Sequence, residues 1–373
     1  MTQFPEIRTI DDVLPALKDH PEFAIKDQGD YVAIDYNYAE PGTFDDPIRR
    51  ECRGIKFAKS GELIARPYHK FFNIGEKEET QPDAIDWSLP HVVLEKLDGS
   101  MVHPVSFDGE TIRWMTRAGE TDISAQAAAY ATGAFSEDQW DCLLDTLDGG
   151  WTPIFEWCSP QNQIVIRYPE NKLVLTALRH NQSGVYGTWV AGTMPHEVKM
   201  WGHSVGELDK FLAHACGLED KEGYVVRFTN GFMVKVKADA YVLRHKARDS
   251  LLLEKNVLRM VLENATDDVL PLLALADADR LKGYAWDVRF QMGTTACALA
   301  DHVAYGKTLS WGDRKTFATK FAPRLSPLMK GMAFRVLDGA EPHEVVRDCI
   351  LRHCGSSTGV DTVRDLIGGA RWQ

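Results

Sequence analysis

The sequence has no apolar run as long as the ~18–20 residues that a membrane-spanning helix needs. Its first residues, 1–6, lack the basic-then-apolar order of a secretory signal. The seven cysteines are scattered without a C-x-x-C pair, which argues against a disulfide framework or a zinc ribbon. We therefore expect a cytoplasmic protein that has reduced thiols and no membrane partner.

A surplus of basic residues is also missing, since 42 Lys and Arg stand against 54 Asp and Glu, a net charge of −12. Proteins that bind nucleic acid usually carry such a surplus. The imbalance is uneven, because residues 243–373 contain 19 basic and 16 acidic side chains, a net of +3. An acidic domain can still contain a basic cleft, so net charge does not exclude a nucleic-acid partner.

Short segments rich in Val, Ile and aromatic residues, with turn signals such as Asn230-Gly231 between them, predict antiparallel strands. Helices are predicted at about 122–147 and at 204–216, where Ser204 and Glu207 have capping-box spacing. The predicted strands lie within 31–36, 53–66, 91–96, 101–116, 153–158, 163–178 and 223–237.

After about Tyr241 the pattern becomes helical, and strand-like alternation is rare. The length of 373 residues suits two domains. We expect an α+β chain, with an antiparallel-sheet domain at 1–242 that includes an N-terminal extension, and an all-helical domain at 243–373. The predicted helices of the second domain are 251–262, 267–278, 294–305, 314–321 and 344–353.

Lys96 ends a predicted strand, immediately before the tight turn 97–100. A lysine nucleophile must be neutral, but a pKa near ~10.4 leaves only about one in a thousand neutral at pH 7. Nearby cations lower such a pKa. Lys235 and Lys237 share one face of another strand and could supply that charge, while also neutralising a phosphate during displacement. This combination favours nucleotidyl transfer.

Two carboxylates, Glu156 and Glu222, lie in or beside strand-like segments and could bind Mg²⁺ or ribose hydroxyls. The clusters 51–54 and 66–73 offer cations for a triphosphate and aromatic rings for a base. Each signal alone has a simpler interpretation. The lysine turn could be an ordinary hairpin, the Lys235 face a solvated strand, and the carboxylates and clusters plain surface groups.

The order of these segments resembles the covalent nucleotidyltransferase superfamily of ligases and capping enzymes, with motifs I, III, IV and V at Lys96-x-Asp98-Gly99, Phe155-Glu156-Trp157, Glu222-Gly223-Tyr224 and Lys235-x-Lys237. Segments 36–39, 51–55, 70–73 and 235–241 further resemble the RNA ligase 1 family of the T-even bacteriophages. The resemblance covers most of 30–245 and implies a nucleotidyltransferase (adenylation) fold for the first domain.

The resemblance also implies an activity: ATP-dependent joining of 5′-phosphate and 3′-hydroxyl RNA ends, through Lys96-AMP and an AMP-capped RNA, assisted by Mg²⁺ or Mn²⁺. It implies catalytic roles for Lys96, Lys235 and Lys237, and metal binding by Glu222 and Glu156. Arg117 stands where the family has a lysine, so the charge is kept but the donor geometry differs. The implied nucleotide site comprises Tyr36, Arg53, Lys70, Phe72, Glu95, Lys96, Arg117, Glu156, Glu222, Lys235 and Lys237.

The implied partners are single-stranded RNA ends, including those of a cleaved tRNA anticodon loop. The same resemblance implies a monomer that serves RNA or tRNA repair beside an end-healing kinase-phosphatase, in the host cytoplasm if a phage encodes it. The helical domain would then recognise RNA or tRNA.

Other functions fit less well. A DNA ligase or a GTP-using capping enzyme would carry an OB-fold after motif V, whereas 243–373 is patterned for helix. A P-loop kinase would need glycine at position 301, which is Asp301, so Gly306 is interpreted as a helix C-cap instead. A non-catalytic RNA-binding module would be expected to have lost at least one motif residue.

Overall fold

The computed structural model describes residues 4–311 and 313–373. The chain divides into two compact units, the first ending at Val242 and the second beginning at Leu243. The first unit contains sheets and helices, whereas the described residues of the second form only helices and their connections. The protein is therefore α+β. None of the helices that the structure describes has the length and apolarity to cross a membrane.

The strands of the first unit form three sheets, with the orders β1-β2-β3-β4, β11-β10-β9-β7-β8 and β12-β6-β13-β14-β5. These are called the first, second and third sheets. All the pairings are antiparallel except β14 with β5, which is parallel. The strands are β1 Phe23–Asp27, β2 Tyr31–Tyr36, β3 Ile55–Ala58, β4 Leu63–Ala65, β5 Phe72–Asn73, β6 His91–Lys96, β7 Ser100–Ser106, β8 Ile112–Met115, β9 Trp151–Cys158, β10 Lys172–His180, β11 Tyr186–Gly187, β12 Met200–Gly202, β13 Gly223–Phe228 and β14 Met233–Lys237.

Helices cover the sheets in the first unit and make up the second. The α-helices are α1 Leu14–Leu17, α2 Pro47–Glu51, α3 Asp122–Ala134, α4 Glu137–Asp148, α5 Leu208–Cys216, α6 Asp239–Ser250, α7 Glu254–Leu262, α8 Thr266–Val269, α9 Leu275–Ser310, α10 Arg314–Thr316, α11 Pro327–Leu337, α12 Pro342–His353 and α13 Ser357–Thr362. Short 3₁₀ turns occur at Ile10–Asp12, Glu78–Thr80, Pro160–Asn162, Leu270–Leu272, Ala322–Arg324 and Arg364–Ile367, and a π-helical turn at Phe317–Phe321.

The second sheet, the third sheet and the second unit each have a separate apolar core. In the second sheet, Phe155 packs with Ala127 of α3 and Leu143 of α4. In the third sheet, Val93 and Val226 pack with residues of α5. Because side chains alternate along a strand, this packing leaves the other face of the third sheet to Lys96 and its neighbours. The second unit has its own core, built around α9.

Two predicted elements are wrong in extent. The predicted strand 163–178 is only partly a strand, because β10 begins at Lys172 and the residues before it form a loop. The predicted helix 122–147 is two helices. Phe135 is extended, with φ −92° and ψ 136°, and Ser136 caps α4 through Gln139. A polar capping residue in the middle of an apolar pattern therefore starts a new helix.

Two predicted helix ends are also wrong. Ser204 does not cap α5, because the helix begins at Leu208 after Glu207, and the left-handed Gly206 (φ +68°) precedes it. Gly306 lies inside α9, a helix of 36 residues that contains the predicted helix 294–305 and only the end of the predicted helix 267–278, most of which forms α8 and a 3₁₀ turn. A Cβ at Gly306 would lie 2.4 Å from the Phe317 ring, so the glycine permits close packing and does not end the helix.

Candidate active site

The third sheet brings the motif lysines together at its strand ends. Gly223 of β13 pairs with Lys96 of β6 on one side and with Lys237 of β14 on the other. Gly223 has φ +139°, and a Cβ there would lie 2.0 Å from the Val236 carbonyl oxygen. Only glycine fits this position, which explains its place in the Glu222-Gly223 motif.

Glu222 lies between the two lysines. The Lys96 Nζ is 2.7 Å from the Glu222 Oε2, and the Lys237 Nζ is 3.1 Å from its Oε1. The Glu222 side chain is 3% exposed, whereas the two lysines are 22% and 28% exposed. A buried carboxylate therefore bridges two partly exposed ammonium groups.

The turn after Lys96 presses against the second sheet. The Gly99 backbone N–H donates to Glu156 Oε1 at 3.1 Å. A Cβ on Gly99 would lie 2.4 Å from the Trp157 carbonyl oxygen, so this contact requires glycine. Burial raises the pKa of Glu156 to about 7; Lys96 opposes the rise and Glu222 adds to it. Glu156 and Glu222 thus lie near Lys96 from different sheets.

Asp98 belongs to motif I, but no role was predicted for it; in the structure it is a positioning residue. Its Oδ2 accepts from the backbone N–H groups of Val165 and Ile166 at 2.7 and 2.6 Å. Its Oδ1 accepts from the Tyr241 hydroxyl at 2.8 Å, and the side chain is 2% exposed. The Lys237 Nζ lies 5.1 Å from the Tyr241 ring centroid. Asp98 therefore ties the lysine turn to the 163–171 loop and to the end of motif V.

Lys235 is the lysine on which the cationic neighbourhood acts. Burial is the largest cause that lowers its pKa, and the charges of Arg53, Lys96, Lys70 and Lys237 add to it, which brings the pKa to about 7. Its Nζ lies 4.8 Å from the Phe71 ring centroid. The sequence predicted this effect of cations at Lys96, but in the structure the direct neighbour of Lys96 is the Glu222 carboxylate.

Arg53, Lys70 and Arg117 converge around Tyr36. The Lys70 Nζ is 5.3 Å and the Arg117 guanidinium 4.6 Å from the Tyr36 ring centroid. Burial alone would raise the pKa of Tyr36, but Arg117, Lys70 and Arg53 lower it below its ordinary value. Phe72 is 3% exposed with its ring 5.6 Å from the Lys70 Nζ, so in this structure it supports that lysine.

Arg117 is held in place by Asp35. Its Nε and one terminal nitrogen donate to the Asp35 Oδ2 at 3.1 and 2.9 Å. Arg117 thus stands beside Tyr36 with a carboxylate on its other side. A lysine has a single ammonium group and could not make this paired contact in the same way.

Several candidates lie outside this cluster. Glu95 alternates to the opposite face of β6 and pairs with Lys221 at 3.0 Å, so its side chain does not join the other nucleotide-site residues. Arg66 is fully buried and pairs with Glu51, as does Arg179. This buried network lowers the pKa of Glu51 to about 2 despite its burial. Glu51 and Arg66 therefore stabilise the fold beneath the site.

The residues fit a divalent cation that binds with its substrate. Within the described ranges no group of three or more His, Cys, Asp and Glu side chains could form a complete metal cage. Mg²⁺ needs no such cage, because it commonly takes one or two carboxylates plus substrate phosphates and water. Glu156 and Glu222 repel each other, and a cation beside them would relieve that repulsion.

The strand ends of the antiparallel third sheet bring lysines together around a buried carboxylate, an arrangement that suits nucleotidyl transfer. The RNA ligase family model of the T4 RNA ligase 1 type matches residues 51–241. The chain belongs to this RNA ligase family. The matched range contains the site described above, apart from Tyr36 and Asp35, together with the second and third sheets and strands β3 and β4 of the first.

Two relatives in sequence agree with this assignment. A putative RNA ligase of Thermovibrio ammonificans is 31% identical over 70% of this chain and 70% of its own length. RNA ligase 1 of bacteriophage TS2126 is 30% identical over 48% of this chain and about half (47%) of the phage protein. Among solved structures, an archaeal ATP-dependent RNA ligase aligns with a TM-score of 0.45 and 12% identity, over 64% of each chain.

Proposed function

We propose that this enzyme is an ATP-dependent RNA ligase that joins 5′-phosphate and 3′-hydroxyl ends through a Lys96-AMP intermediate. The observation that carries the proposal is the contact of Lys96 and Lys237 with the two oxygens of Glu222, at 2.7 and 3.1 Å. This contact supports roles for Lys96 as nucleophile, Glu222 as base and Lys237 as a phosphate-binding cation. Lys235 lies two residues before Lys237 on the same face of β14.

In the first step, Lys96 attacks the α-phosphorus of ATP and the bond to the bridging oxygen of pyrophosphate breaks. Lys96 must lose a proton to attack, and the Glu222 Oε2 is within reach to accept it. The products are a phosphoramidate between the Lys96 Nζ and AMP, and free pyrophosphate. No oxidant or reductant is needed.

The cations around Lys96 stabilise the phosphates. Lys237 and Lys235 neutralise the charge that develops on the α-phosphate oxygens. Arg53 and Lys70 contact the leaving pyrophosphate, and Arg117 occupies the position of the family lysine while Tyr36 lines the nucleotide pocket. A phosphate would favour the charged form of Lys235, whose pKa is about 7 without it.

In the second step, an RNA 5′-phosphate oxygen attacks the AMP phosphorus, Lys96 leaves as the amine, and a 5′-5′ pyrophosphate links AMP to the RNA. In the third, a 3′-hydroxyl attacks the RNA phosphorus, loses its proton, and expels AMP. A divalent cation supplies further charge neutralisation when bound, and Glu156 and Glu222 are the residues that would hold it. Glu156 also faces the ribose of the nucleotide.

The natural RNA is a finer part of the proposal. We propose single-stranded ends, such as those of a cleaved tRNA anticodon loop, as substrates for a monomeric cytoplasmic enzyme. The second unit would recognise this RNA, since its sequence carries a net charge of +3. A baculovirus relative, 25% identical over 35% of its own length, is named a bifunctional polynucleotide kinase and RNA ligase, which supports cooperation with an end-healing enzyme.

The test is to incubate the protein with α-labelled ATP and magnesium and look for label on the denatured polypeptide. We expect label on the wild type and on Lys221→Ala, which removes a neighbouring lysine that pairs with Glu95. Lys96→Ala should carry none. Unlabelled wild type, or a fully labelled Lys96→Ala, would contradict the proposal. Circularisation of 5′-phosphorylated single-stranded RNA, but not of the equivalent DNA, separates RNA ligation from DNA ligation.

A further inference from the structure

A cavity of about 1320 Å³ lies at the end of the third sheet that is farther from the Lys96 turn. Its wall includes Val92 near the start of β6, Phe228 at the end of β13, and Tyr186 of β11. None of the residues assigned above to the nucleotide site lines it. Its volume is above the ~300–1,000 Å³ of usual small-molecule sites, so it has room for part of a polymer.

Arg227 contributes a charged donor to this cavity. One of its terminal nitrogens, Nη1, is buried and has no hydrogen-bond acceptor among the residues that the structure describes. Its guanidinium carbon lies 5.9 Å from the Tyr186 ring centroid. Buried guanidinium donors almost always have an acceptor, so an unsatisfied one beside a cavity points to an anionic ligand.

Arg227 also continues the face that carries the motif lysines. Gly223, Val225 and Arg227 alternate on one face of β13, where Gly223 pairs with Lys96 and Val225 pairs with Lys235. Arg227 pairs with Val92, four residues before Lys96, a distance of about 13 Å along the strand. An RNA strand that leaves Lys96 along this face can reach Arg227 within a few nucleotides.

The rest of the wall suits an unpaired nucleotide. The His91 ring is fixed in place, because its Nε2 accepts from the Val205 backbone N–H at 2.8 Å and its Nδ1 lies 2.7 Å from the Leu89 carbonyl oxygen. Tyr186 and Phe228 add aromatic surface. The one carboxylate in the wall, Glu6, pairs with Arg8 at 2.9 Å. A cation beside aromatic rings is the usual composition of single-strand sites.

We infer that this cavity is a second RNA-contacting site, in which Arg227 binds a backbone phosphate of the single strand being joined while the aromatic wall receives its base. The inference rests on the proposed function and adds a place for RNA away from Lys96. It makes Arg227 a substrate-binding residue that takes no part in the reaction with ATP.

The test measures binding of a labelled, 5′-phosphorylated single-stranded RNA to the full chain in EDTA, at several salt concentrations. Arg227→Met should weaken binding roughly tenfold, the loss of one charge-assisted contact. It should also reduce the slope of log affinity against log salt by about 0.7, the value for one phosphate of a single strand. Arg227→Lys should keep the slope. Lys26→Met, which removes an exposed charge on β1, should change neither.

Formation of Lys96-AMP from ATP provides the second readout. We expect Arg227→Met to form Lys96-AMP at the same ATP concentration as the wild type. A higher requirement would assign the cavity to the nucleotide site and overturn the inference, as would unchanged RNA affinity and salt slope. If Arg227→Met does not fold, Arg227→Gln replaces it under the same criteria. A wild type that forms no adduct would contradict the proposed function, whereas RNA binding would still decide the role of the cavity.

Discussion

At the scale of single residues, the proposed mechanism depends most on Glu222, which acts as the base that accepts a proton from Lys96. Glu222→Gln keeps the shape but cannot accept a proton, so the rate of Lys96-AMP formation should fall by about 10²–10⁴-fold. Single-turnover kinetics with labelled ATP measure this rate. Glu207→Gln, which alters a 73% exposed carboxylate paired with Lys210, is the matched control and should match the wild type. A rate within a few fold of wild type in Glu222→Gln would exclude the base role.

The two shifted groups of the site also predict a pH dependence of stability. Glu156 has a folded pKa of about 7, above its ordinary 4.5, so its contribution to the free energy of unfolding falls as the pH rises from 4.5 to 7. Lys235 has a folded pKa of about 7, below its ordinary 10.5. Its contribution to the free energy of unfolding therefore has the opposite trend and rises as the pH rises from 7 to 10.5. As the pH rises from 5 to 7, the free energy of unfolding of Glu156→Gln, measured by urea denaturation, should therefore increase by about 2 kcal/mol relative to that of the wild type. An equal pH dependence in both proteins would contradict the shift.

Residue identities in the motifs were predictable because each motif carries its own spacing. The hydrogen-bond partners of individual residues were less predictable. Asp98 and Arg66 belong to segments read from the sequence as a turn and as cations, yet Asp98 is 2% exposed and Arg66 is fully buried. Tyr241, which donates to Asp98, lies 143 residues from it along the chain, and Glu51, which accepts from Arg66, lies 15 residues from it. Such contacts depend on tertiary packing, which one sequence does not specify locally.

At the scale of elements, the lysine turn and β9 pack too closely for any side chain at position 99. Gly99→Ala should cost about 1–3 kcal/mol and abolish Lys96-AMP formation, because its Cβ would meet the Trp157 carbonyl at 2.4 Å and displace Glu156. Gly133→Ala in α3 is the control. Nothing lies within 4 Å of the added methyl, so this helix should gain up to about 1 kcal/mol. Thermal unfolding and adenylylation of both variants check the prediction, which an active, stable Gly99→Ala would contradict.

Element prediction succeeded where the pattern was strong. β2 and β6 have the bounds that alternation predicts, and β13 and β14 flank the predicted Asn230-Gly231 turn. It failed where a polar residue or a glycine has two possible uses. Ser136 caps a second helix and Gly306 packs inside a long one, and in each case the packed neighbours decide.

At the scale of the whole molecule, the two units have separate cores, so the first should act on ATP alone. A fragment that ends after Ser250, at the end of α6, should fold and form Lys96-AMP at a rate within about tenfold of the full chain, since every proposed contact with ATP lies before Val242. Calorimetry and adenylylation of the fragment test this. A fragment that folds but takes no label would show that the second unit is needed for the first step.

The central claim is that one lysine carries the AMP. The most direct measurement is peptide mapping of the protein after reaction with ATP and magnesium, at a pH that preserves the phosphoramidate. We expect one AMP on the peptide that contains Lys96 and none on the peptides with Lys235 or Lys237. AMP on either of those lysines, or an unmodified Lys96 in protein that seals RNA, would contradict it.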